Sequence, residues 1–382
     1  MTTIYLIRHA EAEGNLYRFV QGHMDSYLTA TGHKQLEHLA ERFKDVHIDA
    51  LYSSDLRRAV ATAGAITEYH PLKLQTSTRL REICMGEWEG KSFGDMAYAD
   101  PEAMYNFNND PYKWSAEGAE TYGECAERML LAIKDIAAEN EGKTVAIVSH
   151  GLVIRAALAR LLNVASAEMG IKLPHGDNTA VSLLTVENGE IKVEYYNDNS
   201  HVPHELSTFA KQTWWKAESA GKDDKNLRYE VLDPNLESGL YCDCYADSWL
   251  AAHGTLTGFV SSLYLSDAKK IYSDDKGAIL KAFSVDNFVG LVEMDILRGK
   301  RRGYGWISLI YVTRENRRHG FGVQLLGAAI CRFQSLGYKS VRLHVSAENR
   351  RAINFYKKYG FEIIGQDPGC GAPLYLMEKV FG

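Results

Sequence analysis

Three short apolar runs constrain this chain most: Ile4 to Ile7, Ala50 to Ser53 and Thr144 to Ser149. The segments between them place apolar residues at helical spacing. Leu36, Leu39, Ala40 and Phe43 do so within Thr31 to Phe43, and Ala59, Ala63 and Ile66 follow a cap at Ser54 or Asp55. Cys125 to Ala138 and Leu152 to Leu162 read the same way. Short strands alternating with such helices predict a largely parallel sheet covered on both faces. Two further strands, Thr179 to Thr185 and Ile191 to Tyr196, should close it as a hairpin turned at Asn188-Gly189. The expected fold class of the first half is α/β, a three-layer αβα domain over residues 1–205.

The pattern changes after His201. Pro203, scattered Lys and Glu, and the polar stretch from Ser219 to Lys225 suggest a linker over 206–225, although Trp214 and Trp215 argue that part of it packs on something. From residue 226 to 382 strands and helices come in blocks. Leu227 to Leu232, Ala278 to Phe283, Phe288 to Ile296, Tyr304 to Val312 and Ser340 to Val345 read as strands. Leu236 to Ala252, Gly322 to Leu336 and Arg350 to Tyr359 read as helices. That is the signature of a separate α+β domain with a mixed sheet.

With 382 residues, 46% hydrophobic and 24% charged, the chain can bury two cores, and disorder, collagen and small disulfide scaffolds are excluded. The net charge of −6 argues against a bulk nucleic-acid binder, so any anion site must come from local clustering. No apolar stretch is long enough to span a bilayer and the start lacks a signal-peptide pattern, so no membrane association is expected. Six cysteines, of which only Cys242 and Cys244 are close in sequence, suggest a reduced, cytoplasmic protein without a metal. Cys84, Cys125, Cys331 and Cys370 are isolated.

Chemistry gathers at the ends of the predicted strands. Arg8-His9-Ala10-Glu11 follows the first, Arg57-Arg58 follows the second, and Ser149-His150-Gly151 ends the third. Ligands of open α/β sheets bind in the crevice beyond the strand ends. Two His and two Arg converging there would make an anion pocket. Together with Asn15, Gln21-Gly22, the run Tyr52 to Ala59, Thr62-Ala63, Leu80-Arg81-Glu82-Ile83 and Met85 to Gly90, these residues resemble the histidine phosphatase superfamily, with its phosphoglycerate-mutase-like fold. Ala10 stands where the family usually has Gly, which is tolerable if the backbone there is not left-handed.

The resemblance implies that His9 is the nucleophile and becomes a transient phosphohistidine. Arg8, Arg58 and His150 would bind the phosphoryl oxygens, and Glu82 would protonate the leaving alkoxide. Asn15, Gln21 and Gly22 would line the substrate pocket. Such chemistry needs a neutral imidazole and fixed cationic donors, and no cofactor or metal. The segment Gly90 to Gly118 is short and aromatic, whereas mutases of this family have longer insertions there, so a phosphatase is favoured. Its Phe93, Tyr98, Tyr105, Phe107, Tyr112 and Trp114 either cap the pocket or form the core of a two-helix lid.

In the second half, Arg317-Arg318-His319-Gly320-Phe321-Gly322 lies between a strand and a helix, where glycines let backbone N–H groups approach a phosphate. With Leu343 to Asn349, Ala352 and Phe355-Tyr356-Lys357-Lys358-Tyr359-Gly360-Phe361 downstream, it resembles the GNAT N-acetyltransferase superfamily. The resemblance implies acetyl-CoA as cofactor, held by Arg317, Arg318, His319, Gly320, Phe321, Gly322 and Asn349. Strand residues such as Ile310 and Val312 would polarise the thioester, and Tyr356 would protonate the departing thiolate. Glu293 is a candidate base for the amine.

The expected protein is bifunctional, acting on a small-molecule phosphomonoester and on a small-molecule or peptide amine. Its alternatives are a phosphoglycerate mutase, or a phosphatase regulated by a non-catalytic acyl-CoA-binding module. No nucleic-acid partner is expected, and a homodimer is an open assembly.

Overall fold

The structure, a computed structural model, describes residues 1–211, 225–369 and 372–382. Trp214, Trp215, the start of the polar stretch at Ser219 and Cys370 lie outside these residues. The described residues form two compact units, one of residues 1–91 and 96–211, the other of 92–95 and 225–382.

Six strands build the first sheet: β1 (Thr2–Arg8), β2 (Ala50–Ser53), β3 (Leu74–Thr76), β4 (Thr144–Ser149), β5 (Val181–Glu187) and β6 (Glu190–Asp198). Their order is β3-β2-β4-β1-β5-β6; the first four are mutually parallel, β5 pairs antiparallel with β1, and β6 pairs antiparallel with β5. The expected hairpin turns where foreseen, with Asn188 at φ 51° and Gly189 at φ 79°, the positive φ pair such a two-residue turn demands. The helices are α1 (Glu13–Tyr17), α2 (Ala30–Phe43), α3 (Arg57–Thr67), α4 (Phe93–Ala99), α5 (Pro101–Asn109), α6 (Tyr122–Glu139), α7 (Gly151–Leu161) and α8 (Met169–Lys172). Leu39, Phe43, Ala59, Ala63 and Ile66 of α2 and α3 pack on Ile7, Leu51, Ala146 and Val148 of the sheet. With α6 and α7 on β1's other side, the unit has three layers, αβα.

The second sheet has seven strands: β7 (Arg228–Val231), β8 (Ile279–Ser284), β9 (Asn287–Asp295), β10 (Tyr304–Val312), β11 (Ser340–Ser346), β12 (Glu362–Asp367) and β13 (Leu374–Val380). Their order is β12-β13-β11-β10-β9-β8-β7, with β10 and β11 parallel and the other pairs antiparallel. The helices are α9 (Ser238–His253), α10 (Ser261–Asp274), α11 (Phe321–Ser335) and α12 (Arg350–Lys358). Helix α10 and strands β3, β12 and β13 were not foreseen from sequence. Among the described residues no helix is long and apolar enough to cross a membrane.

The expected linker from residue 206 starts too early. Residues 206–209 are tied into the first unit. Gln35 Nε2 donates to the Leu206 carbonyl at 2.8 Å, Ser207 Oγ to Asp177 Oδ2 at 2.5 Å and Thr208 Oγ1 to Glu11 Oε2 at 2.9 Å. Glu11 is buried, and its other oxygen accepts from Thr29 Oγ1 at 2.6 Å. Burial makes these bonds obligatory, because Glu11 cannot turn to water instead. Thr208→Val keeps the shape and removes one donor to a buried carboxyl. It should lower unfolding free energy by about 1–3 kcal/mol, read from urea midpoints. An unchanged midpoint would mean that this stretch is linker after all.

Candidate functional site

Strand register assembles the first site. In the parallel ladder Arg8 stands opposite Ser149 and Ser53 opposite Val148, so His9, Ser54 and His150 leave the sheet at one edge. The chain at His9 is fixed from several sides. Its N–H donates to the Ser149 carbonyl at 2.9 Å, and its own carbonyl accepts from Asn178 Nδ2 at 2.9 Å. The next N–H, of Ala10, donates to Thr62 Oγ1 at 2.9 Å. Ala10 is fully buried and is not among the residues with positive φ, which explains why a methyl is accepted where Gly was expected.

The imidazole of His9 is 3% exposed, and its Nδ1 lies 2.7 Å from the Ala10 carbonyl. A carbonyl only accepts, so Nδ1 carries the proton and Nε2 presents its lone pair. Burial first, then the charges of Arg58 and Arg8, hold this ring well below its ordinary pKa. His150, whose ring centroid is 5.1 Å away, is held down by burial first and then by Arg58. Both rings are therefore neutral at neutral pH.

Among the described residues no carboxylate makes an ion pair with the cations around them. Arg58 is 1% exposed and donates to the carbonyls of Met24 at 2.9 Å and Gly22 at 2.7 Å. Burial lowers its pKa to about 10, which leaves it charged. Arg8 donates to the Gly176 carbonyl, and its guanidinium lies 5.5 Å from the centre of the Phe209 ring. A Cβ on Gly151 would come to 3.0 Å from Arg8 Nε, a tight contact that would press on the guanidinium. Arg8 Nε, Arg58 Nε and both ring nitrogens of His150 are buried and have no protein partner among the described residues. Four buried polar atoms in this condition beside His9 are groups that a bound oxyanion could satisfy.

Glu82 lies at the N-terminus of α7. Its Oε1 accepts from the N–H groups of Val153 at 2.8 Å and Ile83 at 3.0 Å, and Oε2 from Leu152 at 3.1 Å. Oε2 thus accepts one of these bonds and Oε1 two. Arg128 fixes this loop by donating to the carbonyls of Arg79, Arg81 and Glu82 at 2.8, 3.0 and 3.2 Å. His23 Nε2 lies 2.8 Å from the Glu82 carbonyl. Sequence reasoning missed Arg128, His23 and Asn178, since each acts through a backbone carbonyl and carries no motif of its own.

Asn15 Oδ1 accepts from the Ala12 N–H at 3.1 Å and closes the first turn of α1. Gln21 Oε1 accepts from Ser26 Oγ at 2.5 Å, and Gly22 supplies a carbonyl to Arg58. In the aromatic segment Trp88, Phe107 and Trp114 pack on one another at 5.4–5.6 Å. Phe93, Tyr98, Tyr105 and Phe107 sit on α4 and α5, while Tyr98, Tyr105 and Tyr112 are exposed. The segment is thus a pair of short helices with a small aromatic core.

In the second unit β10 and β11 pair only from Tyr304/Ser340 to Ile307/Leu343. Beyond that β10 continues through Ile310 to Val312 with no ladder on its β11 side, and a bulge against β9 falls between Ile307 and Leu309. The loop after β10 leads into α11. Arg318 at φ 71° and Gly320 at φ 87° turn the chain there. Among the described residues, no partner is found for the N–H groups from Arg318 to Gly322. A helix start with successive free N–H groups fits a pyrophosphate. Phe355 of α12 adjoins the loop, 3.3 Å from where a Cβ of Gly322 would lie.

Other residues expected at the cofactor have further duties. Arg317 donates to the Val312 carbonyl and to Asp247 Oδ2, both at 2.9 Å, so its charge is already paired. Asn349 caps α12, accepting from Ala352 N–H at 3.1 Å. His319 is exposed. Tyr356 is half-buried among Phe355 and Phe361, and burial raises its phenol above the ordinary range. Glu293 on β9 is buried, and its Oε2 accepts from Tyr241 O–H at 2.9 Å. Burial pushes its carboxyl up to about 7. Cys242 and Cys244 lie on α9, and among the described residues no cluster of three or more His, Cys, Asp or Glu could hold a metal ion.

Comparison with known proteins agrees with this division. The sequence model of the histidine phosphatase superfamily (branch 1) matches residues 4–199, and that of the acetyltransferase (GNAT) family matches residues 237–361. The chain is 31% identical over 201 residues to a putative phosphoserine phosphatase 2 of Hydrogenobacter thermophilus, covering 53% of this chain and 98% of the relative. It is 32% identical over 189 residues to a probable phosphoglycerate mutase, GpmB, of Proteus mirabilis, covering 49% and 86%. Among solved structures, YhfR of Bacillus stearothermophilus is 32% identical, covers 53% of this chain and 100% of its own, and superposes with a TM-score of 0.51. The chain therefore belongs to the histidine phosphatase superfamily through its first half and carries a GNAT acetyltransferase domain in its second.

Proposed function

We propose that the first domain hydrolyses a small-molecule phosphomonoester through a phosphohistidine on His9, and that the second moves an acetyl group from acetyl-CoA to an amine. The observation that carries the first reading is the set of buried nitrogens on Arg8, Arg58 and His150 without protein partners, arranged around the free Nε2 of His9. Nε2 attacks phosphorus while the ester P–O bond breaks, and the leaving alkoxide takes a proton from Glu82. A water then gives its proton back to Glu82 as its oxygen attacks phosphorus, releasing His9 and inorganic phosphate. The two guanidinium groups and His150 hold the equatorial oxygens, where charge develops. Asn178 and Thr62 keep the His9 backbone from shifting. Relatives named for phosphoserine and phosphoglycerate make small acidic phosphomonoesters the first substrates to try.

In the second domain the free N–H groups from Arg318 to Gly322 would hold the pyrophosphate of the cofactor. When bound, acetyl-CoA supplies the activated acetyl group. The unladdered edge of β10 around Ile310 offers backbone dipoles beside it. Glu293 would accept the proton of the incoming ammonium, and its proton affinity near 7 suits that task at neutral pH. Tyr356 would donate to the departing sulfur, since its raised pKa keeps the phenol protonated.

Rapid quenching under alkaline conditions should trap a phosphoryl group on wild-type protein and none on His9→Ala, with phosphate release from phosphoserine or another small ester abolished by the same change. Because His9 is already neutral, its titration should leave kcat unchanged between pH 8 and 6.5. A kcat that halves near 6.5 at saturating substrate would place His9 in water. If the phosphoryl group moves to a second substrate molecule and not to water, the domain is a mutase.

For the second domain, Tyr356→Phe should slow acetyl transfer to a panel of amines by about 10²-fold or more while acetyl-CoA still binds. Binding of acetyl-CoA that alters phosphate release, with no transfer by wild type, would instead make this domain a regulatory module.

A further inference from the structure

The hairpin between β9 and β10 carries Arg298, Lys300, Arg301 and Arg302 within five positions. Five other arginines of this domain meet carboxylates, Arg228 with Glu230, Arg314 and Arg317 with Asp247, Arg332 with Asp275 and Arg342 with Glu378, while Arg318, Arg350 and Arg351 have no ion pair among the described residues. No ion pair is found for the four hairpin cations among the described residues, and all four are exposed. The nearest carboxylate in sequence, Asp295, spends Oδ1 on the N–H groups of Leu297 and Arg298, both at 2.9 Å. Like charges this close repel one another, so the turn raises the free energy of the folded chain unless an anion joins it.

The turn is also shaped. It surrounds a hollow of about 410 Å³ lined by Leu297, Arg298, Gly299, Arg301, Arg302 and Tyr304. Its frame is fixed at several points. The Arg298 guanidinium lies 3.7 Å from the centre of the Trp306 ring, the Tyr338 hydroxyl donates to the Ile296 carbonyl, and Lys339 N–H donates to the Gly303 carbonyl at 2.9 Å. Gly299 is required, since a Cβ there would fall 2.2 Å from the Tyr304 carbonyl oxygen. A held backbone presenting several guanidinium groups around one hollow matches the donor geometry that phosphates accept, often two hydrogen bonds at a time.

We propose that this hairpin is a binding site for a small, multiply charged phosphate anion such as a polyphosphate or a bisphosphorylated metabolite. It is separate from the loop at Arg318 to Gly322, because the nine residues of β10 lie between them, a span of roughly 25–30 Å. A nucleic acid fits less well: the charge is confined to one turn, and the chain as a whole carries −6.

Trp306 beneath Arg298 is a local reporter. The full chain labelled with 5-fluorotryptophan, with the Trp306 resonance assigned through Trp306→Phe, is titrated with inorganic tripolyphosphate and separately with orthophosphate. The Trp306 signal should shift saturably with tripolyphosphate and more weakly with orthophosphate. The double variant Arg301→Ala/Arg302→Ala, whose surface changes leave the fold intact, should weaken that binding at least about tenfold. An unmoved Trp306 resonance, equal affinity in the double variant, or equal affinity for orthophosphate overturns the proposal. So does a response to duplex DNA with none to tripolyphosphate.

Discussion

Arg58 sets the terms for the phosphatase domain. It is a buried cation whose hydrogen bonds go to the carbonyls of Gly22 and Met24, leaving Nε for a ligand. Burying a charge without a contacting carboxylate is costly, and the protein bears that cost with carbonyl dipoles aimed from a single loop. The consequence reaches every neighbour. His9 and His150 are driven neutral by burial and by the adjacent guanidinium charges, the state that the proposed nucleophile and the proposed phosphoryl ligand both need. Parallel register then decides where these groups meet, because β1 and β4 end side by side at Arg8 and Ser149.

A similar logic appears in the acetyltransferase domain, with backbone in place of side chains. Two strands that pair for four residues and then part leave one edge of β10 without a ladder. The turn through Arg318 and Gly320 adds free N–H groups at the head of α11. Both features are concentrations of unmade backbone bonds, which a fold ordinarily avoids and keeps where a ligand supplies the partners.

Much of this was legible in the sequence because the chemistry is written in consecutive residues. His9, His150 and Arg58 each follow a short apolar run, and their convergence follows from strand alternation alone. The supporting groups were not legible. Asn178, Arg128 and His23 act on carbonyls distant in sequence, so no local pattern marks them. Residues 206–209 looked like linker because the run that follows His201 is polar and broken by Pro203, yet the hydroxyls of Ser207 and Thr208 are committed to Asp177 and Glu11. Motif membership also overstated some roles. Arg317 is paired with Asp247 and the Val312 carbonyl, and Asn349 is the cap of α12, so both side chains have structural duties of their own. In strand β12 the adjacent Ile363 and Ile364 are both exposed, which breaks the alternation expected of a strand.

The central claim is that His9 Nε2, Arg8, Arg58 and His150 are arranged around one tetrahedral anion. A crystal structure of the full chain soaked with orthovanadate tests it most directly. The account predicts vanadium bonded to His9 Nε2, with its oxygens within hydrogen-bond distance of Arg8 Nε, Arg58 Nε and a ring nitrogen of His150. Vanadate bound away from His9, or a site in which those nitrogens find protein partners and exclude the anion, would contradict it.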